Sequence, residues 1–191
     1  MVFRSMADTM ERFSLSEGAR IQRSCYVIFV TVGMQLPFNR LVRTVEAWAK
    51  KHKASDVIFQ VGPGGYFPSG FSASQFIKPE QFEQYVKKAD VVVSHAGMGS
   101  ILKSLELAKP IIILPRLQIY GEHRNNHQVH TAENIGKYEG VLVAKSETDV
   151  EDLLDVAITF TSGSAISKSA SDSLIAHIQY FIRNSIPKSD A

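Results

Sequence analysis

One cysteine in 191 residues, Cys25, leaves no partner for an intrachain disulfide and no thiolate set for a zinc site. No apolar run approaches the ~20 residues with which a helix crosses a bilayer. The opening, MVFRSMADTMERFSLSEGARIQRS, is too polar to read as a signal peptide. Lys and Arg form no long run and the formal net charge is only +2, so the footprint of a nucleic-acid binder is missing. There is no internal repeat and no low-complexity tract. These absences leave a soluble cytosolic domain with one good core as the expectation. Such a chain works at a membrane only if something else holds it there.

Present instead is an alternation of strand and helix patterns. Residues 1–24 show no clear period and read as an N-terminal extension. Residues 26–32 form a continuous apolar strand, and Pro37 opens a helix with Leu41, Val42, Val45, Trp48 and Ala49 on one face. A strand over 57–61 ends at Gly62-Pro63-Gly64-Gly65. A short strand is expected at 75–77, and a helix over 79–88 with Phe82, Tyr85 and Val86 inward. After the segment treated next come a helix over 125–135, a strand over 141–143 and a helix over 147–158. In 165–182, Ile166, Leu174, Ile175, Ile178 and Phe181 recur at helical spacing. Unbroken Val/Ile strands separated by helices imply a parallel sheet covered on both faces. The expected organisation is an extension (1–24), an α/β Rossmann-like domain (25–160), and a C-terminal helix and tail (161–191).

The most telling segment is DVVVSHAGMGSILKSLELAKPIIILPRLQIYGEHRNNHQ, from Asp90 to Gln128. An apolar strand (Val91, Val92, Val93) stops at His95-Ala96-Gly97-Met98-Gly99-Ser100, a helix follows, and after Lys109-Pro110 comes a second apolar strand. Glycines in the turn admit close approach of a ligand to the backbone. The helix beginning there directs its free N–H groups and positive dipole end at whatever lies above, which suits a pyrophosphate. The polar loop after the next strand would lie beside it and read a sugar by its hydroxyls. Every Gly-rich or polar cluster, including Gly33 and the loop over 115–128, falls at a strand's carboxyl end, where parallel sheets bind ligands.

These residues carry a resemblance. Ser94 to Leu102 (S-H-A-G-x-G-S-I-L), then K-P with an apolar strand and a proline, then E-H-x-x-x-H-Q, resembles the C-terminal domain of family 28 glycosyltransferases. The blocks VIFVTVGMQLPFNRLV and FQVGPGGYFP look like stand-alone versions of that domain. Those versions include the catalytic subunit of a eukaryotic two-subunit transferase that adds the second GlcNAc to a dolichol-linked sugar. Closer still is the similarity to small subunits of bacterial exopolysaccharide glycosyltransferases. The resemblance implies one GT-B half, Rossmann-like, binding a UDP-sugar, with the acceptor half on a separate membrane-attached chain. It implies that Gly97, Met98, Gly99 and Ser100 form the phosphate-binding turn and that Gln128 reads the donor sugar, flanked by Glu122 and His127. Gly33 belongs to the same donor site, although Met34 follows it where relatives often have a hydroxyl residue. Many members hold the ribose with a glutamate seven residues before the Lys-Pro proline; here that place is Lys103, with Glu106 one turn on.

Other readings stand beside this one. Gly97 and Gly99 could merely permit a tight turn, and His95 could be a structural hydrogen-bond partner as readily as a catalytic group. Arg116 and Arg124 could be surface charges or cations that neutralise a leaving diphosphate. Glu122 with His123, His127 and His130 has metal-compatible spacing, but nothing else recommends a metal. An NAD-dependent enzyme is disfavoured, since the dinucleotide fingerprint is incomplete at both Gly33 and Gly97. A non-catalytic nucleotide-sugar-binding or regulatory module remains an alternative. The expectation is a UDP-dependent hexosyltransferase subunit in polysaccharide biosynthesis, inverting, independent of metals and of other cofactors, acting on a lipid-linked saccharide. His95 is the internal candidate for the base, most of which the partner would supply. Residues 161–191 are the expected partner-docking element, and the chain alone would self-associate through exposed apolar surface.

Overall fold

The computed structural model describes residues 26–160. Six strands form one wholly parallel sheet: β1 (Ile28–Thr31), β2 (Val57–Gln60), β3 (Ser72–Ser74), β4 (Val91–His95), β5 (Ile111–Leu114) and β6 (Val141–Val143). Their spatial order is β3-β2-β1-β4-β5-β6. Between them run α1 (Asn39–Lys51), α2 (Pro79–Lys88), α3 (Met98–Glu106) and α4 (His127–Ile135), and α5 (Glu147–Phe160) follows β6. This is the α/β, doubly covered sheet that the apolar runs imply.

Side-chain alternation along the buried strands builds two cores. Ile28, Val30, Val91, Val93, Ile112 and Leu114 face α1 and α5, which contribute Leu41, Val45, Trp48, Val150 and Leu154. Phe29, Val92, Ile111 and Ile113 face the other way, against Val86 of α2, Ile101 and Leu105 of α3, and Ala132 and Ile135 of α4. All five residues expected on the inner face of α1 are buried. Fully burying each such side chain stabilises by roughly 1.5–3 kcal/mol, which explains why the central strands tolerate no polar alternation.

Strands β1 and β2 are shorter than expected and α5 runs two residues further, and three other boundaries differ for a visible reason. The third strand lies at Ser72–Ser74 rather than 75–77. It is an edge strand whose Ser-Ala-Ser carries no apolar signal, and Ile77 instead plugs the second core. Helix α1 begins at Asn39, not at Pro37, because the Pro37 carbonyl is held outside the helix by Arg116. Helix α4 begins at His127, since the Asn126 side chain turns back to accept from the Gln118 amide. The expected helix over 165–182 lies outside the described residues.

Candidate functional site

The strand order reverses between β1 and β4, since consecutive strands run outward from β1 on one side and from β4 on the other. A crevice beyond the carboxyl ends at such a point is where doubly wound sheets take ligands. Its floor is the His95 ring, at the end of β4. An added Cβ at Gly97 would lie 2.1 Å from His95 Nε2, and one at Gly33 would lie 2.8 Å from His95 Cε1. Both glycines therefore make room for the imidazole, and Gly33 also adopts φ +79°, which favours glycine.

The Ser94 hydroxyl donates to the Thr31 carbonyl (3.0 Å) and lies 3.3 Å from His95 Nδ1. With its proton so committed, the hydroxyl accepts from Nδ1–H and leaves Nε2 as the acceptor. Burial, helped by the charge of Arg116, pushes the imidazole down to about 4. The ring is neutral at physiological pH and only a weak general base.

Above it starts α3, with Gly97 at the N-cap position and no side-chain cap or acidic residue in its first turn. The first-turn N–H groups of a helix lack intrahelical acceptors and carry the positive end of its dipole. An added Cβ at Gly99 would meet nothing within 4 Å, so the backbone there opens onto free space. Met98 packs against the second core and Ser100 is buried.

The opposite wall is the loop over residues 32–38. The Gln60 amide brackets Gly33, accepting from its N–H (3.1 Å) and donating to its carbonyl (2.8 Å). Gln60 also accepts from Thr31 Oγ1 (2.6 Å) and donates to the Gln75 carbonyl (3.1 Å). Arg116, 3% exposed, donates to the carbonyls of Val32 (2.7 Å), Leu36 (2.7 Å), Pro37 (2.6 Å) and Glu122 (3.3 Å).

The polar loop after β5 is brought to the same place, but its side chains are tied to protein groups. Glu122 accepts from Arg40 Nε (2.7 Å) and Nη2 (2.9 Å) and from the Leu117 amide (2.9 Å). Gln128 is buried and accepts from the Arg116 amide (3.1 Å). Arg124 and His127 are exposed, and His127 pairs through Nδ1 with Asn125. His123 stacks edge-on against His127, and burial holds it below the ordinary histidine range. Among the described residues no three His, Cys, Asp or Glu side chains converge as a metal-ligand set.

Contacts thus link Gly33, His95, Gly97, Arg116, Glu122 and Gln128 at the carboxyl ends of the strands, with Met98, Gly99 and Ser100 following in the first turn of α3, and leave Arg124 and His127 exposed. Sequence reasoning missed Arg40 and Gln60. Gln60 had a readable signal: it is the polar residue that ends the apolar run Val57-Ile58-Phe59. The Arg40–Glu122 pair spans 82 positions and had none.

The topology defines a doubly wound, Rossmann-like α/β domain. The chain matches the model of the glycosyltransferase family 28 C-terminal domain over residues 27–172, and it belongs to that family. The UDP-N-acetylglucosamine transferase subunit ALG13 of Homo sapiens is 33% identical over 120 residues, 58% of this chain and 10% of that protein. The subunit of that name from Yarrowia lipolytica is 26% identical over 136 residues, 64% of this chain and 66% of its own. A solution structure of ALG13 has a TM-score of 0.53 at 24% identity, covering 81% of this chain and 95% of that one. The calicheamicin glycosyltransferase CalG4 has a TM-score of 0.51 at 14% identity, covering 90% of this chain and 48% of its own. The chain therefore spans about a tenth of its human relative and about half of a complete GT-B enzyme. The exopolysaccharide kinship expected from the opening blocks is not carried forward, because these relatives are named as UDP-N-acetylglucosamine transferase subunits.

Proposed function

We propose that this chain is the donor-binding subunit of a UDP-sugar glycosyltransferase, with UDP-N-acetylglucosamine as the donor and a lipid-linked saccharide as the acceptor. The observation that carries the reading is the exposed start of α3 at the β1/β4 switch point, in a chain of family 28. The donor identity rests on the printed names of the relatives. Gly97, Met98, Gly99 and Ser100 would cradle the diphosphate through backbone N–H groups. The exposed Arg124 and His127 would meet the sugar.

In the reaction the acceptor hydroxyl attacks the anomeric carbon, the bond from that carbon to the phosphate oxygen breaks, and UDP leaves with its electron pair. The sugar's configuration inverts. The dipole of α3 and the Arg116 charge stabilise the developing diphosphate, the task that a metal performs elsewhere. The acceptor's proton needs a base stronger than His95, whose conjugate acid sits at about 4. That base comes from a membrane-attached partner, which would dock over the exposed apolar residues Met34, Leu36, Ile119 and Tyr120 around the crevice. Residues 161–191, outside the described residues, are the proposed docking element. No helix among the described residues is long and apolar enough to cross a membrane.

The weak internal base favours a second reading, a chain that binds donor and turns nothing over alone. Thermal shift with UDP-N-acetylglucosamine, UDP-glucose, UDP and NAD is the first test, since a ligand of the folded state raises the melting temperature by mass action. A shift by NAD alone, or by none of the four, would sink the proposal. Transfer assayed with and without the co-expressed partner then separates the catalytic subunit from the binding module.

A further inference from the structure

The guanidinium of Arg116 lies within the protein wall rather than on its surface. Four carbonyl oxygens receive its terminal N–H groups, those of Val32 and Leu36 on Nη2 and those of Pro37 and Glu122 on Nη1. Its plane rests on the Phe38 ring at 4.8 Å, and its backbone amide is bonded by Gln128. A guanidinium has five N–H donors and no acceptor, and the two terminal nitrogens carry four of them. These four are engaged, which leaves the single Nε–H and rules out a bidentate clasp of a phosphate by the two terminal nitrogens. The carbonyls belong to two segments, the loop after β1 and the polar loop after β5. The nearby carboxylate, Glu122, is itself gripped by Arg40.

We infer that Arg116 is a positioning residue of the donor site. It joins the loop over 32–37 to the polar loop, and acts on the ligand mainly through Gly33, which packs on His95, with its charge as a secondary contribution. The inference rests on reading the crevice as a nucleoside diphosphate site, and it departs from the simpler idea that this arginine clasps the diphosphate. Lysine cannot take its place, because an ammonium has three donors about a point and no plane to lay on Phe38.

The test compares direct and indirect action. In the wild-type chain, UDP is titrated while the Gly33 amide, the His95 ring and the Arg116 Nε–H and Nη–H signals are followed by NMR. Positioning predicts shifts at Gly33 and His95 with the Arg116 signals unmoved. Movement of the Arg116 signals larger than that of Gly33 would overturn the inference. Arg116→Lys and Arg116→Met are then compared without ligand and with UDP. The expected result is faster exchange of the Gly33 amide, lower order parameters over 34–36, and UDP affinity reduced about tenfold or more in both variants, in Arg116→Lys despite its retained charge and further in Arg116→Met. Retention of UDP affinity within about threefold in Arg116→Lys, with loss only in Arg116→Met, would show a direct charge contact instead. A loop as ordered in the variants as in the parent would overturn the inference too. Should neither variant fold, the wild-type titration decides. Should UDP not bind the parent at all, the donor-site reading fails, while exchange in the variants still decides whether Arg116 holds the loop.

Discussion

The loop after β1 and the turn after β4 flank the same histidine ring, and each contains a glycine that the ring requires. Around Gly33 the protein satisfies its own backbone: Gln60 takes both the N–H and the carbonyl, and Arg116 gathers the carbonyls of Val32 before it and of Leu36 and Pro37 after it. At the start of α3 it does not, since no side chain caps that helix and Gly99 looks onto free space. Buried polar groups are ordinarily paired within the protein, so the paired loop is scaffold, while the uncapped start of α3 is the place that the proposed function gives to the diphosphate. The difference teaches that glycine in this fold has two meanings. Gly33 and Gly97 yield space to a protein ring, whereas Gly99 borders open space.

The sharpest way to break that comparison is a pair of valines. Gly97→Val sets a Cβ 2.1 Å from the His95 ring, which must move together with its neighbours. Overpacking of this severity should cost about 3 kcal/mol or more. Gly99→Val meets nothing, and valine suits a helix slightly better than glycine, so stability should stay within about 0.5 kcal/mol of the parent. Its UDP affinity should nonetheless fall about tenfold or more as the branched side chain fills the space over the helix start. Urea unfolding and calorimetric UDP titration of both variants check this. Unaltered UDP binding in Gly99→Val would place the site elsewhere.

Next in size is the acid response of the ring between the two loops. Folding lowers His95 from 6.5 to about 4, so below 6.5 the unfolded chain binds more protons than the folded one. The associated stability is complete above about pH 6.5 and is lost as pH falls toward 4, by up to about 3 kcal/mol. Urea unfolding from pH 7 to 4.5 should show a steeper decline in the parent than in His95→Gln. Parallel profiles would mean that the ring is not held neutral, and that the two glycines do not seal it.

Much of this architecture was legible because parallel strands buried on both faces must read as unbroken apolar runs. Val91-Val92-Val93 and Ile111-Ile112-Ile113 could hardly be anything else. The edge strand Ser72–Ser74 left no such trace, and its neighbour Ile77, apolar but not in a strand, drew the expectation three residues along. The crevice was legible as a place, from the coincidence of glycines with strand ends. The roles within it were not. A glycine that accommodates a histidine and one that faces open space look alike in sequence, and only the fold shows that Arg116 is enclosed by carbonyls. Glu122 and Gln128 matched a sugar-reading motif, and nothing in the sequence signalled that Glu122 also holds Arg40 or that Gln128 Oε1 accepts from the Arg116 amide.

The smallest effect is expected at Lys103, where many relatives have the glutamate that holds the ribose. Here the ammonium lies 2.8 Å from Glu106 on its own helix, and that hydrogen bond raises the lysine above its ordinary range. Glu106 is well exposed, and exposed pairs of this kind contribute little because water and salt screen them. Lys103→Met should therefore leave unfolding within about 0.5 kcal/mol of the parent. It should also leave UDP affinity within about twofold, because the contacts that matter lie at the helix start rather than midway along it. The reverse substitution sharpens the point. Lys103→Glu brings like charge beside Glu106 but restores the residue type that relatives present to ribose. If Lys103→Glu tightens UDP more than it tightens a ribose-free diphosphate such as pyrophosphate, the ribose lies along α3 and the unpaired region extends beyond its first turn. If both ligands are unaffected, the ribose is held by the tethered wall, and the two loops divide the donor between them: diphosphate on the unpaired helix start, nucleoside on the loop that Gln60 and Arg116 hold in place.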